Sequence, residues 1–314
     1  MRTSGKPARV YPAKVNRGDT VGIIAPGSPI ARDLLRAGCN KLESLGYKTF
    51  YFNTIFNQEH YFAGAHRERA EELEQMFLRP EIRAIICARG GYGCNYLLPH
   101  INLKIIRENP KMFIGYSDVT TLLTYICDQA DMCTYHGPMV IKDYAEAKQD
   151  EAGPLVLNNG EKGIEISGGG EHKQPRSGEA KGVLYGGCLS LIAASLGTPY
   201  EVKTKNSILF LEDINAKPYQ IDRMLMQMKY AGKLAEVRAV VFGEMVGCTQ
   251  PGGQDYTLQE IVGRVLNDLE IPVAFGLPSG HVSAPPNYSL AFGAMAELKV
   301  TADGFLLRSA RSGD

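Results

Sequence analysis

Four short segments of this 314-residue chain hold residues whose types and positions can do chemistry. The first is Gly115-Tyr116-Ser117-Asp118-Val119-Thr120, which follows the apolar run Met112-Phe113-Ile114 and precedes an apolar helical pattern. A serine at such a strand-to-helix turn lies at the C-terminal edge of an open α/β sheet, where ligands bind. The N–H groups that open the next helix favour negative charge there. That is the layout of a nucleophile beside an oxyanion hole. Ser-Asp at a helix start is equally a plain N-cap. The Gly-x-Ser-x-Gly elbow is absent, because Val119 stands at the second glycine position.

The second segment, Arg89-Gly90-Gly91-Tyr92-Gly93, follows Ala84-Ile85-Ile86-Cys87. Consecutive glycines turn the backbone sharply and present free N–H groups; a tight strand-to-helix turn needs nothing more. The segment is neither a P-loop nor Gly-x-Gly-x-x-Gly. The third, Leu209-Phe210-Leu211-Glu212-Asp213, ends an apolar run in two acids, which can orient a base or cap a loop. The fourth, Leu277-Pro278-Ser279-Gly280-His281, carries a histidine between Pro278 and Pro285. His281 is the candidate general base and His136, in Tyr135-His136-Gly137-Pro138, is its rival. There is no His-x-x-x-His or His-Glu-x-x-His pattern, so we expect no metal and no cofactor.

The elements that must position these residues can be read from hydrophobic periodicity. Apolar runs at 20–26, 48–52, 84–87, 112–114 and 133–135 read as strands. Between them lie helical patterns. One is expected to open with Ser28 as N-cap and Pro29 at the first position, to bury Leu34, Leu35, Leu42 and Leu45, and to stop at Gly46. Another covers 67–77, with Ala70, Leu73 and Phe77 inward. Short buried strands alternating with helices predict a parallel sheet covered on both faces. Residues 146–181, rich in Glu, Lys and Gly, read as a linker with a short strand at Ile164-Glu165-Ile166. Beyond it the pattern gives a helix after Gly187, strands at 208–211 and 239–242, helices at 218–230 and 258–269, and a strand-rich end from Asn287.

Composition narrows the classes of function. Lys+Arg and Asp+Glu are each 34, so the net charge is zero and no general nucleic-acid binder is expected. A hydrophobic fraction of 44% excludes global disorder. No run approaches the length of a membrane span, and the basic lead has no apolar region after it, so neither membrane contact nor a secretory signal is expected. The seven cysteines are odd in number, lack a Cys-x-x-Cys pair and fall partly in apolar runs. They read as buried thiols of a cytoplasmic protein.

Taken in order, the segments resemble one family, the LD-carboxypeptidases, serine peptidases that trim murein peptides. The matching stretches are Ile24-Ala25-Pro26-Gly27-Ser28-Pro29, Tyr61-Phe62-Ala63-Gly64, Arg89-Gly90-Gly91-Tyr92-Gly93, Gly115-Tyr116-Ser117-Asp118 and His136-Gly137-Pro138-Met139. They continue with Gly186-Gly187-Cys188-Leu189-Ser190, Leu211-Glu212-Asp213, Pro218-Tyr219-Gln220-Ile221-Asp222-Arg223 and Gly280-His281. One departure is Cys188, where Asn is common after the glycine pair. The resemblance implies a triad with Ser117 as nucleophile, His281 as general base and acid, and Glu212 as orienting carboxylate. It places the backbone N–H groups of Gly91 and Asp118 in the oxyanion hole. Arg89 is a candidate for the substrate's free carboxylate. The substrate implied is a murein tetrapeptide losing its terminal D-Ala, processed in the cytoplasm by a homodimer.

The fold implied is an N-terminal flavodoxin-like α/β domain over 1–145 carrying Ser117. The linker over 146–181 follows, then a smaller C-terminal α/β domain over 182–314 with a β-rich, swivelling barrel-like core carrying Glu212 and His281. Two alternatives stand beside this function. Some members of the family cleave aminoacyl-nucleotide antibiotics of the microcin C type and use an aromatic platform, often Trp, which this chain lacks. A non-catalytic murein-fragment binder would keep the glycine turns without needing a triad.

Overall fold

The computed structural model describes residues 9–147, 164–169, 176–249 and 257–309. The first half alternates strands β1 (Thr20–Ile24), β2 (Lys48–Phe50), β3 (Ile82–Cys87), β4 (Met112–Gly115) and β5 (Thr134–His136) with helices α1 (Arg32–Ser44), α2 (His66–Leu78), α3 (Leu103–Glu108) and α4 (Thr120–Gln129). These five strands are parallel, in the order β5-β4-β3-β1-β2. Alternate side chains divide between the two faces, as strand geometry requires. Val21, Ile23, Ala84 and Ile86 pack with Leu35 and Leu42 of α1 and with Val140, Ile141 and Tyr144 of a π-helical turn. Ile24, Ile85, Cys87 and Phe113 pack with Leu73 and Phe77 of α2, Ile106 of α3 and Leu122 and Ile126 of α4.

The second half contributes β6 (Ile164–Gly169), β7 (Gly178–Cys188), α5 (Leu189–Ala194), β8 (Ser207–Glu212), α6 (Pro218–Tyr230), β9 (Ala239–Gly243), α7 (Leu258–Val265), β10 (Val273–Leu277), β11 (Leu290–Phe292), β12 (Met295–Val300) and β13 (Gly304–Ser309). Seven of its strands form a sheet in the order β10-β9-β8-β7-β12-β13-β6, parallel from β10 to β7 and antiparallel beyond. Helices α5, α6 and α7 bury Ile192, Leu225 and Val262 against Leu209, Val240 and Phe275 on one face. The sheet curls, because Arg176 pairs with Val273 of β10 from the segment between β6 and β7. Strand β11 crosses back and pairs antiparallel with β5, so the first sheet ends in a strand drawn from the C-terminal half.

The structure has the expected parallel first sheet and the mixed second one. Several boundaries differ from the sequence reading. Ser28 does not cap α1: the N-cap is Ala31, with no side-chain bond, and Ser28 Oγ instead accepts from Tyr92 N–H at 3.1 Å. Helix α7 stops at Val265 rather than 269. Of the segment read as a linker, residues 164–169 and 178–181 are strand in the second sheet, and 148–163 and 170–175 lie outside the described residues. All seven cysteines are buried and free. Among the described residues no helix is long and apolar enough to cross a membrane.

Polar ties join the two halves. Thr120 Oγ1 of α4 accepts from Cys188 N–H at 3.1 Å. The fully buried Tyr185 hydroxyl of β7 donates to Asp128 Oδ2 of α4 at 2.7 Å, and Arg9 reaches the other oxygen at 3.4 Å. Burial pushes the Asp128 carboxyl up and the phenol pulls it back. A buried charge that loses a hydrogen bond keeps its desolvation cost, so Tyr185→Phe should lower stability by about 1.5–3 kcal/mol. The check is urea unfolding, with a lower midpoint at unchanged slope; an unmoved midpoint would mean that this tie contributes nothing.

Candidate functional site

The C-terminal ends of β1, β3, β4 and β5 converge on one edge of the first sheet, and those of β8 and β10 approach it from the second. This is the position where open parallel sheets bind ligands. Strand β4 ends at Gly115, and the chain then turns tightly through Tyr116 into a helical turn that begins at Ser117. Ser117 has φ +63°, a left-handed value uncommon for a residue with a side chain. Such backbone outliers concentrate at functional sites. The turn therefore has the strained character of a nucleophile elbow without its second glycine. Ser117 caps nothing by its side chain; the helical turn's N-cap is Tyr116.

The glycine turn after β3 lies directly on this serine. A Cβ on Gly90 would stand 2.9 Å from Ser117 Cβ, 3.0 Å from Asp118 N and 3.2 Å from Ser117 Oγ, so only glycine allows the approach. Gly91, next along, packs on Ser28. Asp118 is buried, and its Oδ2 accepts from Cys94 N–H at 2.9 Å, tying the serine turn to the glycine turn. Burial pushes this carboxyl up, against the pull of Cys94 and Arg69.

Arg69 of α2 went unnoticed in the sequence, where it reads as one more charge on an amphipathic helix. It is buried. Nη1 donates to the carbonyls of Pro26 and, at 3.1 Å, Gly93; Nε donates to Gly64 at 3.1 Å. One guanidinium thus holds three turns at the rim of the site. Arg89 is exposed, with Nη1 donating to the Pro29 carbonyl at 3.2 Å. Beyond the glycine turn, Tyr61, Phe62, Tyr92, Tyr96 and His66 form a contiguous ring cluster, with Tyr61 57% exposed.

Glu212, the last residue of β8, is fully buried. Its Oε2 accepts from His281 Nδ1 at 2.6 Å and from His281 N–H at 3.2 Å. His281 is 8% exposed, and the Tyr116 ring stands edge-on to it, centroids 5.1 Å apart. This contact sets the histidine beside the serine turn. Ser117 and His281 share no hydrogen bond among the described residues, and such contacts commonly tighten only when substrate binds. With Nδ1 engaged by a carboxylate, the imidazole leaves Nε2 as the nitrogen able to take a proton. His136, the rival base, has no solvent exposure and lies on the far side of Glu212, with Nε2 3.6 Å from Oε1. Asn287 closes the loop around His281: its amide donates to Gly280 O at 3.0 Å and to Asp143 Oδ1 at 2.9 Å, and its Oδ1 accepts from Gly280 N–H at 2.9 Å. Neither Asn287 nor Asp143 carried a recognisable signal in the sequence.

Burial pushes the Glu212 carboxyl up, but the facing imidazoles of His136 and His281 outweigh burial and hold it at about 2. An unfolded Glu titrates near about 4.3. A depressed acid contributes stability that is fully present above its unfolded value and lost as pH falls toward the folded one. The stability gap between wild type and Glu212→Gln should therefore be largest above pH ~4.5 and close progressively toward pH ~2. Urea midpoints of both proteins across that range provide the measurement, and a gap independent of pH is the contrary result.

Comparison with known proteins shows the family of the chain. The profile of the LD-carboxypeptidase N-terminal domain matches residues 21–137, and that of the LD-carboxypeptidase C-terminal domain matches residues 181–298. The chain is 35% identical over 294 residues to a probable murein peptide carboxypeptidase of Bacillus subtilis (strain 168), covering 91% of each chain. It is 27% identical over 299 residues to the microcin C7 self-immunity protein MccF of Escherichia coli, covering 84% of this chain and 86% of that one. The crystal structure of muramoyltetrapeptide carboxypeptidase from Oxalobacter formigenes superposes with a TM-score of 0.83 at 26% identity, over 93% of this chain and 98% of that one. The two matched domains carry Ser117 in one and Glu212 with His281 in the other, and the chain belongs to the LD-carboxypeptidase family.

Proposed function

We propose that this chain is a serine carboxypeptidase that hydrolyses the bond to the terminal D-Ala of murein tetrapeptides. The observation that carries the reading is the convergence of three residues. Ser117 stands at a left-handed strand-to-helix turn, and Tyr116 beside it contacts His281, whose Nδ1 is held at 2.6 Å by Glu212. In this reading His281 Nε2 takes the proton of Ser117, and Oγ attacks the scissile carbonyl. Glu212 fixes the imidazole tautomer and stabilises the imidazolium that forms. The N–H groups of Gly91 and Asp118 bind the oxyanion. His281 then protonates the leaving D-Ala amine. Water, activated by the same histidine, cleaves the acyl-enzyme and regenerates Ser117. Arg89, on the rim, receives the free carboxylate that distinguishes a carboxypeptidase substrate. The enzyme acts in the cytoplasm as a homodimer, as the family resemblance implies.

Tetrapeptide incubated with the wild type should release D-Ala by mass spectrometry. Ser117→Ala should reduce kcat by about 10⁴-fold or more while still binding peptide. Binding by the wild type without any release would leave a murein-fragment binder instead. Arg89→Ala should raise KM with little change in kcat, the mark of a contact made equally in ground and transition states.

A second reading is favoured by the ring cluster at the site's rim. Exposed Tyr61, Tyr92 and Tyr96 offer planar surfaces that could stack a nucleobase despite the absence of Trp. The chain would then act as an aminoacyl-nucleotide hydrolase. Hydrolysis of an aminoacyl sulfamoyl adenosine faster than release of D-Ala, and its loss in Tyr92→Ala, would establish this reading over the first.

A further inference from the structure

His136 takes no part in the proton transfers above, yet it is as deeply buried as the carboxylate it faces. It ends β5, in register with Leu290 of β11. Its ring is wedged between Phe210, 5.2 Å away and edge-on, and Phe292, 5.4 Å away. Nδ1 lies 3.0 Å from Ser279 Oγ, and Ser279 is also fully buried. Nε2 looks at Glu212 Oε1 across 3.6 Å, too long for a hydrogen bond, and neither atom has a hydrogen-bonding partner among the described residues. The chain pinches here: Gly280 has φ +85°, and a Cβ on it would stand 2.7 Å from His136 Cε1 and 2.8 Å from Glu212 Cδ. First sheet, second sheet and histidine loop thus meet at a single point.

The protonation pattern follows from what each group can donate. An ionised carboxylate only accepts, so the nitrogen facing Glu212 must carry the proton. Nδ1 is paired with the Ser279 hydroxyl, which can donate or accept. The result is a chain in which Ser279 holds Nδ1, His136 points its other nitrogen at Oε1, and His281 donates to Oε2. Without the first imidazole, Oε1 would be a buried charged atom with nothing facing it, and the carboxylate could rotate about its terminal bond.

We propose that His136 is a positioning residue: its imidazole fixes the plane of Glu212 from the first sheet, so that Oε2 is presented to His281 only when the two sheets are docked. The role rests on the triad reading of Ser117, Glu212 and His281. It differs from general-base catalysis, because His136 never meets substrate.

Two substitutions separate the nitrogens. The Asn side chain places its amide near Nδ1 and leaves Glu212 unsupported; the Gln side chain reaches the position of Nε2. His136→Asn should lower kcat on the order of 10–10²-fold with KM little changed, since a misplacement of about 1 Å at a reacting group costs up to about 10²-fold. His136→Gln should recover most of that loss. Ser279→Ala, which removes only the hydroxyl paired with Nδ1, should lower kcat several-fold, and it keeps the proposal falsifiable should the Asn variant not fold. Proton NMR supplies a readout independent of substrate. The short His281–Glu212 bond should give a far-downfield resonance, assigned by its loss in Glu212→Gln. That resonance should persist in His136→Gln and move upfield and broaden in His136→Asn. If the wild type releases no D-Ala, the substrate reading fails while the NMR comparison still decides the role of His136. Retention of both the resonance and kcat in a folded His136→Asn protein overturns the proposal, as does an equal loss in the Asn and Gln variants.

Discussion

Removing a carboxylate from water costs several kcal/mol unless donors and opposite charge surround it, and the site is arranged around how that cost is met for Glu212. Its hydrogen-bond donors and the second imidazole that faces it come from different parts of the chain. His281 supplies a ring N–H and a backbone N–H from the loop after β10, while His136 faces it from β5 in the other sheet. With His136 in the role proposed above, that charge is held in place only when both sheets are in position. On the proposed triad, the docking of the two halves and the assembly of the base are then the same event. The ties at Thr120–Cys188 and Tyr185–Asp128, and the return of β11 onto β5, hold that joint from the other side.

The serine side of the site is held differently. Among the described residues no carboxylate hydrogen-bonds the Ser117 side chain; the turns around it set its place. The glycine turn after β3 packs on it, Asp118 ties that turn to the serine turn through Cys94, and Arg69 gathers the carbonyls of Pro26, Gly64 and Gly93 beneath them. Rigid strands end at the right height, and one buried guanidinium fixes how the loops leave them. Placing a reactive group on scaffold ends while loops supply the donors is the usual division of labour in open α/β sheets.

Much of this was legible from residue order. Apolar runs bounded by glycine mark the strands of the first sheet, and of the residues singled out at strand ends Glu212 and His281 are hydrogen-bonded, with Tyr116, the neighbour of Ser117, edge-on to His281. What stayed hidden depended on long-range competition. Ser28 has the sequence of an N-cap, but the N–H of Tyr92, far along the chain, claims its hydroxyl. Arg69 reads as a surface charge until three turns close over it. In the sequence His136 and His281 both stand near prolines, whereas in the structure His136 ends β5 and His281 lies in the loop after β10. Only the packing of Phe210 and Phe292 on one and the partial exposure of the other shows which imidazole can reach a ligand. The pairing of β11 with β5 has no local signature, because a three-residue strand carries too little pattern to announce its partner.

The missing second glycine at the elbow has a physical resolution. That glycine commonly makes room where a tight turn presses the start of the helix onto the strand it has just left. The motif's first glycine, Gly115, is present, and Val119 packs directly on it: a Cβ on Gly115 would stand 2.8 Å from Val119 Cγ1 and 3.2 Å from Cys87 Cβ. The glycine on the strand leaves room for the valine on the helix. Val119 in turn is fully buried and packs into the core beneath α4, so the arrangement adds apolar contact at the base of the turn that carries Ser117. A motif search for the elbow fails on this sequence because it tests for a residue type at one position. The requirement is steric, and here the glycine on the strand meets it with valine on the helix.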